Sequence, residues 1–77
     1  MAVIDPFNSS TTIKYSVIVD GTVILKIYNE LGQQVRTLIN KSQPIGDYII
    51  NWDGLDDNGK NVPSGTYFYK LNNEKTK

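Results

Sequence analysis

Four oxygen-rich residues crowd into one short stretch of this 77-residue chain: Asp53, Asp56, Asp57 and Asn58 all lie within "WDGLDDNGK", residues 52–60. Carboxylate and amide oxygens are the donors that a hard cation such as calcium takes. Asp53, Asp56 and Asn58 are therefore the candidate metal ligands. The stretch fails the twelve-residue calcium-loop pattern. With Gly59 at the sixth loop position, Gly54 falls at the first and Gly65 at the twelfth, where carboxylates are required. Turn formation accounts for the same letters, because Asp and Asn bond their own backbone and Asn58-Gly59 tolerates positive φ.

Chemistry of other kinds has few players. The chain holds no histidine and no cysteine, so the usual general bases, nucleophiles and zinc ligands are missing. No spacing points to a carboxylate pair or a Ser-Lys couple either. We assign no catalytic residue and no cofactor, and read the chain as a non-enzyme. Trp52, Tyr48, Tyr67 and Tyr69 could in principle stack on a sugar. Their period-two placement puts them instead on inner strand faces, where a small domain without disulfides needs aromatic bulk. Tyr28 and Phe68 fall on the opposite faces and are the better candidates for an exposed contact. The sequons Asn8-Ser9-Ser10 and Asn40-Lys41-Ser42 match glycosylation by letter only.

Seventy-seven residues make one small domain, in which roughly 60% of the unfolded surface is buried on folding. Eight basic and eight acidic residues balance and are spread along the chain. No basic stripe exists to neutralise phosphates, which argues against nucleic acid as a partner. No apolar run approaches the length of a spanning helix, which argues against membrane insertion. The absence of cysteine fits both an exported and a cytosolic protein. Residues 1–4 read as a leader or cloning-derived segment ahead of a domain over 5–77.

The elements that would carry these side chains alternate with period two. "TTIKYSVI" (11–18) points Ile13, Tyr15 and Val17 inward, and after the turn signal Asp20-Gly21, "TVILKIYN" (22–29) does the same with Val23, Leu25 and Ile27. "NELG" (29–32) predicts a turn with Gly32 at positive φ. "QQVRTLIN" (33–40) resumes with Val35, Thr37 and Ile39 opposed to Arg36 and Leu38. "DYIINWD" (47–53) sets Tyr48, Ile50 and Trp52 on one side. Residues 54–65 are turn chemistry with a short strand at Lys60–Val62. "TYFYKL" (66–71) is the last strand, with Tyr67, Tyr69 and Leu71 inward. Five strong strands at about ten-residue spacing predict a small all-β, Ig-like antiparallel sandwich.

Taken in order, "DPFNSSTTIKYSV", "VILKIYNELGQQVRTLI" and "IGDYIINWDGLDDNGKNVPSGTYFYKL" resemble a known Ig-like module. It is the type-IX secretion C-terminal sorting domain of bacterial secreted and surface proteins, related in sequence to the Ig-like domain of the flagellar hook-capping protein. The likeness runs from about Asp5 to Leu71. Its motif positions are Pro6, Phe7, Asn8, Gly32, Trp52, Asp53, Gly54, Gly59, Gly65 and Tyr67, all of them structural. The resemblance implies that Pro6 and Phe7 start the domain, that Phe7 caps one end of the core, and that Trp52 and Tyr67 fill it. Ser9 stands where the family usually has proline. Members of the sorting family also continue through a turn into a final strand, whereas "NNEKTK" (72–77) begins that turn and stops.

The resemblance therefore implies a non-catalytic sorting module of an exported bacterial protein, recognised by the outer-membrane secretion translocon. It would pass through the periplasm on its way to the cell surface or the extracellular space. The alternative is a structural Ig-like interaction or spacer module, hook-cap-like or from a surface protein. A carbohydrate-binding module comes third, and it needs Trp52, Tyr67 and Tyr69 exposed. Without a final strand, the edge at Thr66, Phe68 and Lys70 is open for pairing. Either self-association through that edge or the N-terminal "AVID" folding alongside should cover it. In the first two readings the partners are proteins.

Overall fold

A computed structural model describes residues 2–4 and 11–75 of the chain. It is all-β, with two antiparallel sheets and no helix among the described residues. The strands are β1 (Ala2–Ile4), β2 (Thr11–Val17), β3 (Gly21–Tyr28), β4 (Gln34–Gln43), β5 (Gly46–Trp52) and β6 (Tyr67–Lys75). One sheet runs β1-β6-β3-β4 and the other pairs β2 with β5. Pro6, Phe7, Asn8 and the Asn8-Ser9-Ser10 sequon lie outside the described residues.

Alternation builds the core. Along β2 and β3 every second side chain is buried, as a sheet with one face on the core and one in solvent requires. Ile13, Tyr15 and Val17 from one sheet meet Val23, Leu25, Ile27, Ile39 and Tyr67 from the other, with Trp52 fully enclosed among them. Tyr48, Ile50, Tyr69 and Leu71 pack against this cluster from its margins. Tyr15 and Tyr48 stack with centroids 5.4 Å apart, and Trp52 meets Tyr67 edge-on at 5.3 Å. Both are favoured aromatic geometries.

Along β4 the observed phase differs from the sequence expectation. Leu25 pairs with Ile39 but Lys26 with Thr37, and Ile27 with Arg36 but Tyr28 with Gln34. Leu38 and Val35 are thus extra residues in two β-bulges, each of which shifts the side-chain phase by one. Thr37, expected inward, lies opposite the outward-facing Lys26. Leu38, expected outward, packs against the core beside Val35. Arg36 lands opposite the inward-facing Ile27 at the end of the sandwich, where its Nη1 reaches Asp53 Oδ1 at 3.1 Å. Strict alternation cannot foresee this, because a bulge is a property of a strand pair.

At the other end of the chain, residues 72–75 continue the strand; the turn expected there does not form. β3 begins at Gly21, and its backbone pairs with β6 from Tyr28↔Phe68 down to Gly21↔Lys75. The extended ladder satisfies backbone groups that a turn would leave open. The neighbour of "TYFYKL" is also in the chain itself. β1 pairs with its far side through Ala2↔Tyr69, Val3↔Phe68 and Ile4↔Tyr67, which is the covering role anticipated for the N-terminal segment.

Asn73 holds this end together. Its Oδ1 accepts from the backbone N–H groups of Ile18 (3.0 Å) and Val19 (3.2 Å). Its Nδ2 donates to the carbonyls of Val19 (3.0 Å) and Thr22 (3.3 Å). One side chain therefore serves the β2–β3 turn much as a strand would.

A candidate interaction surface at the loop end and the sheet edge

The acidic stretch that opened the sequence reading is a folded turn docked on β4. Asp53 Oδ1 accepts from Leu55 N–H at 3.0 Å as well as from Arg36. Asp56 Oδ1 accepts from the N–H groups of Asn58 (2.8 Å) and Lys60 (3.0 Å). Gly59, at φ +79°, takes the left-handed conformation that glycine adopts without steric cost. The short strand expected at Lys60–Val62 is only an isolated bridge, Leu55↔Asn61. Asp57 then clips the loop to the sheet: its N–H donates to Val35 O at 3.0 Å, and its Oδ1 accepts from Thr37 N–H at 2.9 Å. β4 is an edge strand, and Asp57 thus satisfies two of its backbone groups.

These contacts give the carboxylates of the candidate metal ligands Asp53 and Asp56 defined jobs in the turn, while Asn58 takes part through its backbone N–H. No group of three or more metal-ligating side chains is gathered among the described residues. Asp56→Ala should lower stability by about 1 kcal/mol, the usual cost of removing such a local cap. Urea denaturation should show the same loss with calcium present or absent.

Opposite this loop, Asn29 organises the β3–β4 turn. Its Oδ1 accepts from Leu31 and Gln33 N–H, each at 3.0 Å, and Gly32 sits at φ +79° as its place in "NELG" predicts. Between the two turns lies an open cleft of about 460 Å³, lined by amides, Asp56, Asp57 and the ring of Tyr67. It contains no nucleophile beside a base.

Tyr67 and Trp52, motif residues of the sequence reading, are core. Trp52 is 0% exposed and its Nε1 donates to Leu55 O at 3.0 Å. The Tyr67 hydroxyl donates to Pro63 O, four residues upstream, in the manner of the tyrosine corners of Ig-like sandwiches. Gly54, at φ +77°, and Gly65, in the bend before β6, shape the loop around them. With Trp52 and Tyr67 buried and Tyr69 packed on the core, the sugar-binding reading loses its aromatic platform.

Burial, and then the negative charge of Glu30, push the Tyr67 phenol above its ordinary value of 10.0. The neutral phenol is thus favoured in the folded chain. Its stabilising contribution is full below the ordinary tyrosine value and is lost as pH rises through the folded-state value. Tyr67→Phe should cost about 1 kcal/mol at neutral pH and flatten the fall in stability under alkaline conditions. Urea midpoints measured across that range check both.

The expected edge residues divide. Thr66 precedes β6, and Phe68 is half-buried opposite Tyr28 of β3. Tyr28 and Phe68, the expected exposed pair, are therefore cross-strand neighbours on the outer sheet face. Lys70 is exposed, beyond the last β1 pair. Among the described residues, Ile18, Leu31, Ile45 and Ile49 are exposed large apolar side chains. Periodicity did not single these out as a group, because the four are far apart from one another in the sequence.

Comparison with known proteins gives this architecture a family. The chain is similar to FlgD of Pseudomonas aeruginosa, at 26% identity over 86% of this chain and 54% of that one, with a TM-score of 0.77. FlgD of Xanthomonas campestris, studied for the hook capping essential for flagellar assembly, superposes over 99% of this chain and 56% of its own, with a TM-score of 0.83 at 23% identity. Truncated FlgD of Helicobacter pylori gives 0.57 at 24% identity, over 90% and 57%. The chain spans a little over half the length of these solved relatives. No curated protein matches it. Of the two related families that its motifs resemble, the match falls on the flagellar one: the family model of the FlgD Ig-like domain covers residues 9–77. The chain belongs to the FlgD Ig-like domain family.

Proposed function

We propose that this chain is a non-catalytic structural and interaction module of flagellar hook-cap type, working outside the inner membrane as part of an exported assembly. The observation that carries the reading is the family match over residues 9–77, on a sandwich whose motif residues Trp52, Tyr67, Gly54 and Gly59 are all spent on core and turns. A module whose own residues are used this way acts through its surface. Its partners are accordingly proteins, either other components of the assembly or further copies.

The sorting function, with the secretion translocon as partner, rests on motif resemblance alone and ranks second. One pair of grafts separates the two. This chain is put in place of the matched domain of P. aeruginosa FlgD, and hooks and swimming are scored in a strain lacking the native protein. In parallel it is fused behind a cargo in a bacterium with a type-IX system. Restored hooks with the cargo retained support the hook-cap reading. A folded, exported graft that makes no hooks, together with surface delivery of the cargo, would overturn it in favour of sorting.

A further inference from the structure

The turn that docks on β4 contains a reactive pair that neither the core nor the family role uses. Asn58-Gly59 is the one place in the chain where asparagine precedes glycine. Glycine has no side chain to shield its backbone nitrogen, so this is the asparagine most open to attack from within the chain. In that reaction the Gly59 nitrogen, after losing its proton to solvent base, adds to Asn58 Cγ. The Cγ–Nδ2 bond breaks, ammonia leaves, and a cyclic succinimide remains. Water then opens the ring. Entry at Cγ leaves aspartate in the ordinary main chain. Entry at the main-chain carbonyl carbon of residue 58 leaves isoaspartate, with the main chain rerouted through Cβ.

Asn58 is exposed at the cleft between the two turns, and its carboxamide is tied up by no hydrogen bond among the described residues. The nitrogen that must attack is held back instead. Gly59 N–H donates to Asp56 O at 3.0 Å, and Asp56 N–H donates to Lys60 O at 2.8 Å. Asp56 Oδ1 also fixes the N–H groups of Asn58 and Lys60, on either side of Gly59. Gly59 must give up its bond before it can lose its proton and reach Cγ, so the reaction waits on a local opening of the turn. Each of these bonds is worth roughly five-fold in that opening. The products do not fit the same turn. Isoaspartate lengthens the main chain inside a loop closed by the Asp56–Lys60 bond and the Leu55↔Asn61 bridge. Either product also adds a negative charge beside Asp56 and Asp57, and like charges so close repel. Asp57 is the residue that clips the loop to Val35 and Thr37, so the clip is what conversion loosens.

We propose that Asn58 is a self-modification site that Asp56 keeps closed. Opening of the turn converts it through the succinimide, and conversion releases Asp57 from the β4 edge. This goes beyond the functional reading above and does not rest on it, since it follows from the turn alone.

The test is an incubation of the 77-residue chain in mildly alkaline buffer, both native and in urea. Conversion is followed by mass spectrometry, with fragmentation that separates isoaspartate from aspartate at each position. It should fall on Asn58 and run roughly ten-fold or more faster in urea. Asp56→Ala should raise the native rate roughly five-fold and leave the rate in urea unchanged. Amide protection at Leu25 checks that the sheet of this variant is intact. If that protection is lost, the native-to-urea ratio of the parent chain decides. Converted chain, separated by charge, should exchange the Asp57 and Thr37 amides faster than the parent while Leu25 stays protected. Equal rates in native buffer and urea overturn the proposal. So does conversion that falls first on another asparagine, a folded Asp56→Ala no faster than the parent, or a converted chain in which Thr37 is still protected.

Discussion

Trp52→Ala is expected to remove a large share of the domain's stability, about 3–5 kcal/mol. The indole is fully enclosed, meets Tyr67 edge-on, and donates its N–H to Leu55 O. Truncating a buried tryptophan costs about 3–5 kcal/mol through lost transfer energy and the cavity left behind. A chain of this size has roughly 4–12 kcal/mol in total. The loss spreads into the loop as well, because Leu55 O also takes the Arg36 guanidinium and anchors the turn on β4. Trp52→Phe keeps most of the apolar volume and gives up the N–H bond, so its cost should be nearer 1–2 kcal/mol. Urea denaturation followed by circular dichroism separates the two. A folded Trp52→Ala within 1 kcal/mol of the parent would mean that the two sheets are held together by something other than this packing.

The second large effect is expected at Asn73. Asn73→Ala removes two acceptor and two donor contacts together. The net worth of a single hydrogen bond is about 1 kcal/mol. The bond to Ile18 N–H is solvent-exposed and is replaced by water, so the total should be about 2 kcal/mol. Asn73→Asp keeps the acceptor but faces a carboxylate toward the Val19 and Thr22 carbonyls, and should be no better than alanine at neutral pH. Amide exchange at Ile18 and Val19 should speed up in both variants while Leu25 stays protected. Uniform acceleration across β3 would instead show that Asn73 supports the whole sheet.

How far the sequence carries is best seen strand by strand. In β2 and β3 the inward residues were legible in advance, because the extra residues of the β3–β4 bulges lie on β4, so that along β2 and β3 burial follows parity. In β5, Trp52 was readable as core from its place in the alternation. The loop at 54–65 was readable as turn chemistry, apart from the strand expected at Lys60–Val62, because Asp, Asn and Gly act through local hydrogen bonds and positive φ, and those need only a few neighbouring residues. The turn at Asn29–Gly32 was legible for the same reason.

What the sequence by itself determined was therefore local. It set the all-β class, the inner faces of the regular strands, the turns, and the absence of the side chains that most catalysis needs. Only the tertiary structure decided the phase of β4, since its bulges at Val35 and Leu38 exist relative to β3. It alone extended β6 through "NNEK", where polar letters with little strand propensity are held by a ladder to β3 and by Asn73 reaching across 54 residues to Val19. It also placed Asp57 on the β4 edge. Propensity and periodicity act over a few residues. Register, edge coverage and long-range side-chain caps depend on which strands meet, and folding alone brings those together.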